Sequence, residues 1–188
     1  MILFRSKPAS SNAPRNDTLV TNWRNLMNNP KPFVKRFDHK DGWAALVINQ
    51  VVASAPSFKV LGYVFIIDRT KTSPLWKLAA GHKEAGETPL QTAMRENQGE
   101  TGLRLPAEAY LELPHCHKWN PRGDGHWSLL FKATMSQDDT RLIHPFDVGN
   151  EGEEAKYFTL AETYALIKSG QFLPLHLEKI RAAGCPLQ

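Results

Sequence analysis

Glu96 and Glu100 stand four residues apart in the stretch 89–101, and on a helix two carboxylates at that spacing project from one face. Like charges so placed repel, at about 0.2–0.5 kcal/mol in an isolated helix, so a positive partner would ease the arrangement. A divalent cation is one such partner, whereas a solvated acidic face needs none. A second acidic group, Glu151, Glu153 and Glu154, precedes Lys156-Tyr157-Phe158. In an extended chain Glu151 and Glu153 face one way and Glu154 the other; the competing reading is an ordinary acidic loop. His115 and His117 flank Cys116, which on a strand puts both imidazoles on one face, compatible with metal binding but without an obvious third ligand. Partly exposed strand histidines or substrate contacts are the alternative. His126 and Trp127, following a glycine-containing loop, could stack on a base or sugar, as could Trp119, against the plainer reading of packing at a hairpin end. Arg69, His126 and Trp127 are the candidate substrate contacts. The Arg122-Gly123-Asp124 tripeptide is given no adhesion role.

The elements that must hold these residues are written in the local sequence. Thr88 can cap, Pro89 suits the first helical position and Gln91 completes a capping box, predicting a helix over 89–101. Leu90, Ala93 and Met94 form its apolar stripe, roughly opposite the two glutamates. Asn97 is a polar intruder on that stripe, and Gly102 supplies the stop. Before the helix, 43–53 and 60–68 read as strands, with a brief third at 75–79; beyond it, 110–119 and 126–135 flank a turn-rich loop and predict a hairpin. A last strand over 156–159 runs into the box Thr159-Leu160-Ala161-Glu162, which opens a helix ending near Gly170, and a terminal helix covers 175–183. Strands interspersed with helices favour an α/β (α+β) class with helices layered over a mixed sheet.

Length and composition bound the rest. A chain of 188 residues, 41% hydrophobic and 22% charged, is sized for one domain with an appendage and disfavours disorder throughout or a coiled coil. Two cysteines cannot build a disulfide scaffold, and no spacing suggests a structural zinc site. No apolar run approaches the ~20 residues that span a bilayer, and the opening Met1-Ile2-Leu3-Phe4 is too short for a signal core; the expectation is a cytoplasmic protein with no membrane contact. Residues 1–40 hold eight Lys/Arg against two Asp/Glu, while the remainder holds fifteen against seventeen. We therefore divide the chain into a basic N-terminal extension, 1–40, and a domain, 41–188. The extension opens with a flexible lead-in over 6–17 and carries a short helix near 17–27. It could contact nucleic acid weakly, or simply be a solvated tail.

The string from Gly81 to Leu103 resembles the Nudix box, G-x5-E-x7-R-E-U-x-E-E-x-G-U with U aliphatic. Gly81, Glu87, Arg95, Glu96, Glu100, Gly102 and Leu103 agree, seven of nine specified positions. Asn97 stands where the family has an aliphatic residue and Gly99 where it has a glutamate. Trp76-Lys77-Leu78-Ala79-Ala80-Gly81 is similar to the W-x-L-P-G-G lead-in. The resemblance, over about 43–170, implies a Nudix-like α/β/α sandwich with a mixed central sheet. It also implies a hydrolase that cleaves a diphosphate linkage in a nucleoside diphosphate derivative with Mg2+ or Mn2+. By the same resemblance Glu96 and Glu100 bind the metal, Glu96 also serving as base or water-orienting group, and Arg95 pairs with Glu87 to brace loop against helix. A backbone carbonyl at Ala80 or Gly81 adds an oxygen, Glu153 is the extra acid outside the box, and a homodimer is expected by analogy. A water can stand in for the missing carboxylate, since Mg2+ commonly keeps several. The rival reading is a noncatalytic Nudix-like module that binds nucleotide or RNA at a degenerate metal site. Gly99 within a helix costs ~1 kcal/mol relative to alanine and has no local explanation.

Overall fold

The computed structural model describes residues 42–119, 126–143 and 153–187, and of 115–119, 126 and 142 the backbone alone. The basic extension 1–40, its expected helix, Glu151 and the Arg122-Gly123-Asp124 loop lie outside the described residues. The described residues all belong to the compact unit Phe33–Gln188. In order they form β1 (Trp43–Val52), β2 (Val60–Asp68), β3 (Ala79–His82), α1 (Pro89–Thr101), β4 (Tyr110–Trp119), β5 (His126–Ser136), β6 (Glu153–Thr159), α2 (Leu160–Lys168) and α3 (Pro174–Ala182). The expected mixed architecture is borne out as a six-stranded sheet in the order β4-β5-β1-β2-β6, with β3 on β1.

β1 organises the sheet. One edge pairs in parallel with β5 along its whole length, from Trp43↔Trp127 to Val52↔Ser136. The other edge is divided: residues 49–52 pair with β2, and residues 44–47 pair antiparallel with β3. The fork this opens is filled by the chain entering β3. Lys77 exchanges both main-chain bonds with Ile66 of β2 (2.8 and 3.0 Å), Trp76 is bonded to Gln171 and Leu173, and the Leu78 amide donates 3.0 Å to Nδ1 of His176. The brief third strand expected at 75–79 is thus displaced to Ala79–His82, with only single bridges at Trp76 and Lys77. β6 likewise begins at Glu153 rather than at 156, because Asp68 at the end of β2 supplies it a partner.

Helices cover both faces, so the central strands β1 and β2 are largely buried and apolar and alternate in which side they serve, whereas β6 alternates buried and exposed residues. Leu46, Ile48, Tyr63, Phe65 and Ile67 meet Leu166 of α2 and Leu177 and Ile180 of α3. Ala45, Val47 and Ala79 meet Ala93 of α1 on the opposite face. Both capping boxes form: Gln91 N donates to Thr88 Oγ1 and Glu162 N to Thr159 Oγ1, each reciprocated. Gly102 closes α1 at φ 77°, a left-handed value that glycine adopts without a Cβ penalty. Among the described residues no helix is long and apolar enough to cross a membrane.

Candidate functional site

The loop ahead of α1 is fastened by one guanidinium. Arg95 Nε and Nη2 donate to the two carboxylate oxygens of Glu87 at 2.6 and 2.9 Å, Nη2 also reaches the His82 carbonyl at 2.8 Å, and Nη1 donates to Glu96 Oε1 at 2.6 Å. Paired charge-assisted bonds of this kind fix geometry as well as adding energy. The Arg95 bond, helped by the Glu84 amide and the Thr92 hydroxyl, holds Glu87 down to about 2 against the opposing effect of burial, and Arg95 is itself raised by Glu87 first and Glu96 second. The pairing expected for Glu87 and Arg95 is therefore present, and it ties β3, loop and helix together.

Glu96 reaches down from α1 onto Gly81. A Cβ built on Gly81 would run into Cδ and both carboxylate oxygens of Glu96, so the glycine is what lets the acid approach the strand. One turn on, Glu100 is only 5% exposed, not solvated. Its Oε2 accepts from the Ala80 amide at 2.6 Å, and its Oε1 lies 3.6 Å from Lys77 Nζ. Burial lifts Glu100 to about 8. Lys77 and the Ala80 amide pull it down, while Glu153 and Glu96 add a further upward push. Glu153 is 3% exposed, and among the described residues its Oε2 has no hydrogen-bond partner. An unsatisfied buried carboxylate oxygen is costly, and a cation is the natural remedy.

Strand alternation decides which backbone oxygen faces this group. Lys83 N bonds to Trp43 O, so the main-chain groups of Gly81 also point to β1, whereas those of Ala80 and His82 point away from it. The Ala80 amide and His82 carbonyl do engage Glu100 and Arg95. Of the two carbonyls anticipated, that of Ala80 therefore points away from β1, to the side where its amide meets Glu100, and that of Gly81 points to β1. The donor set, three carboxylates coupled through Glu100 and a carbonyl, suits a hard cation. As they stand, no three His, Cys, Asp or Glu among the described residues converge tightly enough to hold one. Arg95 pairs with Glu96, and Lys77 stands opposite Glu100.

Of the three substrate candidates, only Trp127 and Arg69 have described side chains, one on β5 and one just after β2, strands separated by β1. Trp127 is 8% exposed and belongs to the core cluster with Trp43 and Phe131, so it packs instead of offering a ring face. His126 pairs through its backbone with Trp119; its side chain, like those of His115, His117 and Trp119, lies outside the described residues. Arg69 follows β2, where its Nε donates to Glu154 at 2.9 Å and its guanidinium lies over Trp76, centroid 5.7 Å. It remains largely exposed near the Glu153 end of β6. The α1 stripe also differs from expectation: Thr92, Ala93, Asn97, Glu100 and Thr101 are buried, while Leu90 and Met94 are only partly so. Asn97 is accommodated because Asn49 Nδ2 donates to its Oδ1 at 2.6 Å and its own Nδ2 donates to the Tyr110 hydroxyl at 2.9 Å. Sequence reasoning missed Asn49, Tyr110 and Lys77. Asn49 and Lys77 carry one signal in common, a polar residue inside an apolar strand run or its flank.

A family model described as NUDIX domain matches residues 49–176. The chain belongs to the Nudix family. Its Nudix fold is shared with a NUDIX hydrolase from Nitrosomonas europaea, with TM-score 0.52 and 22% identity over 78% of this chain and 93% of that one. A similar fold is found in the NUDIX domain of Shewanella oneidensis NrtR complexed with ADP ribose, with TM-score 0.51 and 17% identity over 85% and 95%. It also occurs in a bifunctional NMN adenylyltransferase/ADP ribose pyrophosphatase from Francisella tularensis complexed with AMP and Mn ion. There the TM-score is 0.53 and identity 18%, over 89% of this chain and 46% of that one. Among curated proteins, an octanoyltransferase from Myxococcus xanthus is 32% identical over 83 residues, 44% of this chain. The shared stretch spans only 22% of that relative's length.

Proposed function

We propose that this Nudix protein is a Mg2+- or Mn2+-dependent hydrolase cleaving a diphosphate linkage in a nucleoside diphosphate derivative. The observation that carries the reading is the meeting of β3, α1 and β6, where Glu96 lies on Gly81 and buried Glu100 is coupled to Glu153, whose buried Oε2 has no described partner. In this reading Glu96, Glu100, Glu153 and the Ala80 carbonyl hold the ion. When bound, such a cation neutralises diphosphate oxygens and acidifies water. Glu96 orients or deprotonates the attacking water, and Arg95 with Glu87 positions Glu96. Arg69, exposed at the same end of the sheet, contacts the anionic substrate. The nucleotide class is supported by the ADP ribose and AMP in the two related structures. We further propose a cytoplasmic protein that, by analogy with relatives, forms a homodimer, and whose basic extension 1–40 is a solvated tail or contacts nucleic acid weakly.

Two observations favour the noncatalytic nucleotide- or RNA-binding module as a second reading: Gly99 lacks the family's carboxylate, and the described acids do not converge. Hydrolysis of a panel of nucleotide sugars, dinucleotides and nucleoside triphosphates, with and without Mg2+ or Mn2+, separates the two. Metal-dependent turnover that Glu100→Gln abolishes supports the hydrolase. Binding without turnover across the panel, with activity appearing in Gly99→Glu, supports the module.

A further inference from the structure

Lys77 falls at an unspecified position of the W-x-L-P-G-G lead-in, and its place is tightly constrained. Its main chain is bonded through both N and O to Ile66, which fixes the root of the side chain in the fork between β2 and β3. Its ammonium lies 3.6 Å from Glu100 Oε1, with about a quarter of the side chain exposed. The other Glu100 oxygen is already taken by the Ala80 amide. The neighbouring cation, Arg95, is spent on Glu87, Glu96 and the His82 carbonyl. Lys77 is therefore the cation that offsets Glu100, and it approaches the oxygen that a metal would also need.

We infer that Lys77 is a resident counter-ion of the Nudix site, which a divalent metal must displace from Glu100 in order to bind, and which thereby sets the metal affinity. Two cations cannot share one carboxylate oxygen at this range without strong mutual repulsion. The flexible four-carbon stem gives the ammonium a way out toward solvent, which a planar, multiply bonded guanidinium lacks. Before metal arrives, the same ammonium prevents a buried carboxylate from standing uncompensated. With a glutamate missing at Gly99, the balance between acid and resident cation is tilted toward weak binding.

The inference rests on the proposed metal site, and the test separates the two. Isothermal titration of the full chain with Mg2+ alone, paired with thermal unfolding with and without Mg2+, is run on the wild type, Lys77→Met, Lys77→Arg and Glu100→Gln. Lys77→Met is expected to bind Mg2+ about tenfold more tightly. It should also melt lower than the wild type without metal and gain more from added Mg2+, while Lys77→Arg stays at or below wild-type affinity. Lys77→Gln provides the same comparison if the methionine variant does not fold. Clear Mg2+ binding by the wild type with equal or weaker binding by the neutral variants overturns the counter-ion role and leaves the metal site standing. Neutral variants that fail to fold even in saturating Mg2+ also overturn it. Absence of Mg2+ binding in every protein overturns the metal site and the inference together.

Discussion

The two faces of the sheet are built on different terms. Toward α2 and α3, Tyr63, Phe65, Trp76, Phe158 and Phe172 form an aromatic layer, with Phe65 4.7 Å from Phe172 and Trp76 4.7 Å from Phe158, centroid to centroid. Toward α1 the apolar contacts of Ala45, Val47 and Ala93 give way to Asn49, Asn97, Glu100 and Glu153, all buried. Apolar packing tolerates many complements, whereas each buried polar atom needs a particular partner. One face therefore supplies cohesion that is indifferent to chemistry, and the other can hold acids close together because the sheet does not rely on them for its core.

If that division is real, the two faces should fail in different assays. The largest effect should come from Phe65→Ala, which removes the centre of the aromatic layer and should cost about 3–5 kcal/mol in urea unfolding, while a folded sample retains wild-type Mg2+ affinity. Gly81→Ala should do the reverse. Its methyl displaces the Glu96 carboxylate, so turnover is expected to fall about 100-fold, the scale of a misplaced reacting group, with the urea midpoint changed far less. The smallest effect is a pH dependence rooted on the aromatic side. Burial, with Lys179 and Lys77 nearby, holds His176 down to about 3, against an ordinary value of 6.5. Its imidazole stays neutral to accept from Leu78. Above pH 6.5 neither folded nor unfolded chain protonates it. Below 6.5 only the unfolded chain does, so stability should fall as the pH drops toward 3. The loss should reach about 1–2 kcal/mol by pH 5, and His176→Gln should flatten it.

How much of this was legible follows from how local each cause is. The span of β2 and the limits of α1 were readable because they depend on neighbouring residues: Thr88 and Gln91 at one end of the helix, Gly102 at the other. The Arg95–Glu87 bond followed from the family resemblance. The buried polar chain was not readable, since Asn97 is settled by Asn49, 48 positions away, and by Tyr110 on β4. Spacing gave the shared face of Glu96 and Glu100 but not its burial, which depends on β3 and β6 closing over the helix. Trp127 reads as an aromatic at a loop end, and only its place beside Trp43 on β1 makes it core. Nothing described in the structure explains Gly99.

The mooring of the segment that enters β3 gives the C-terminal portion of the chain a stake in chemistry it never touches. Trp76 is held by Gln171 and Leu173, and Leu78 by His176, immediately upstream of the amide that greets Glu100 and the glycine beneath Glu96. A truncation that stopped before 171 would keep every acid of the box and still unfasten the strand beneath them. The smallest working unit is thus longer than the motif that advertises it.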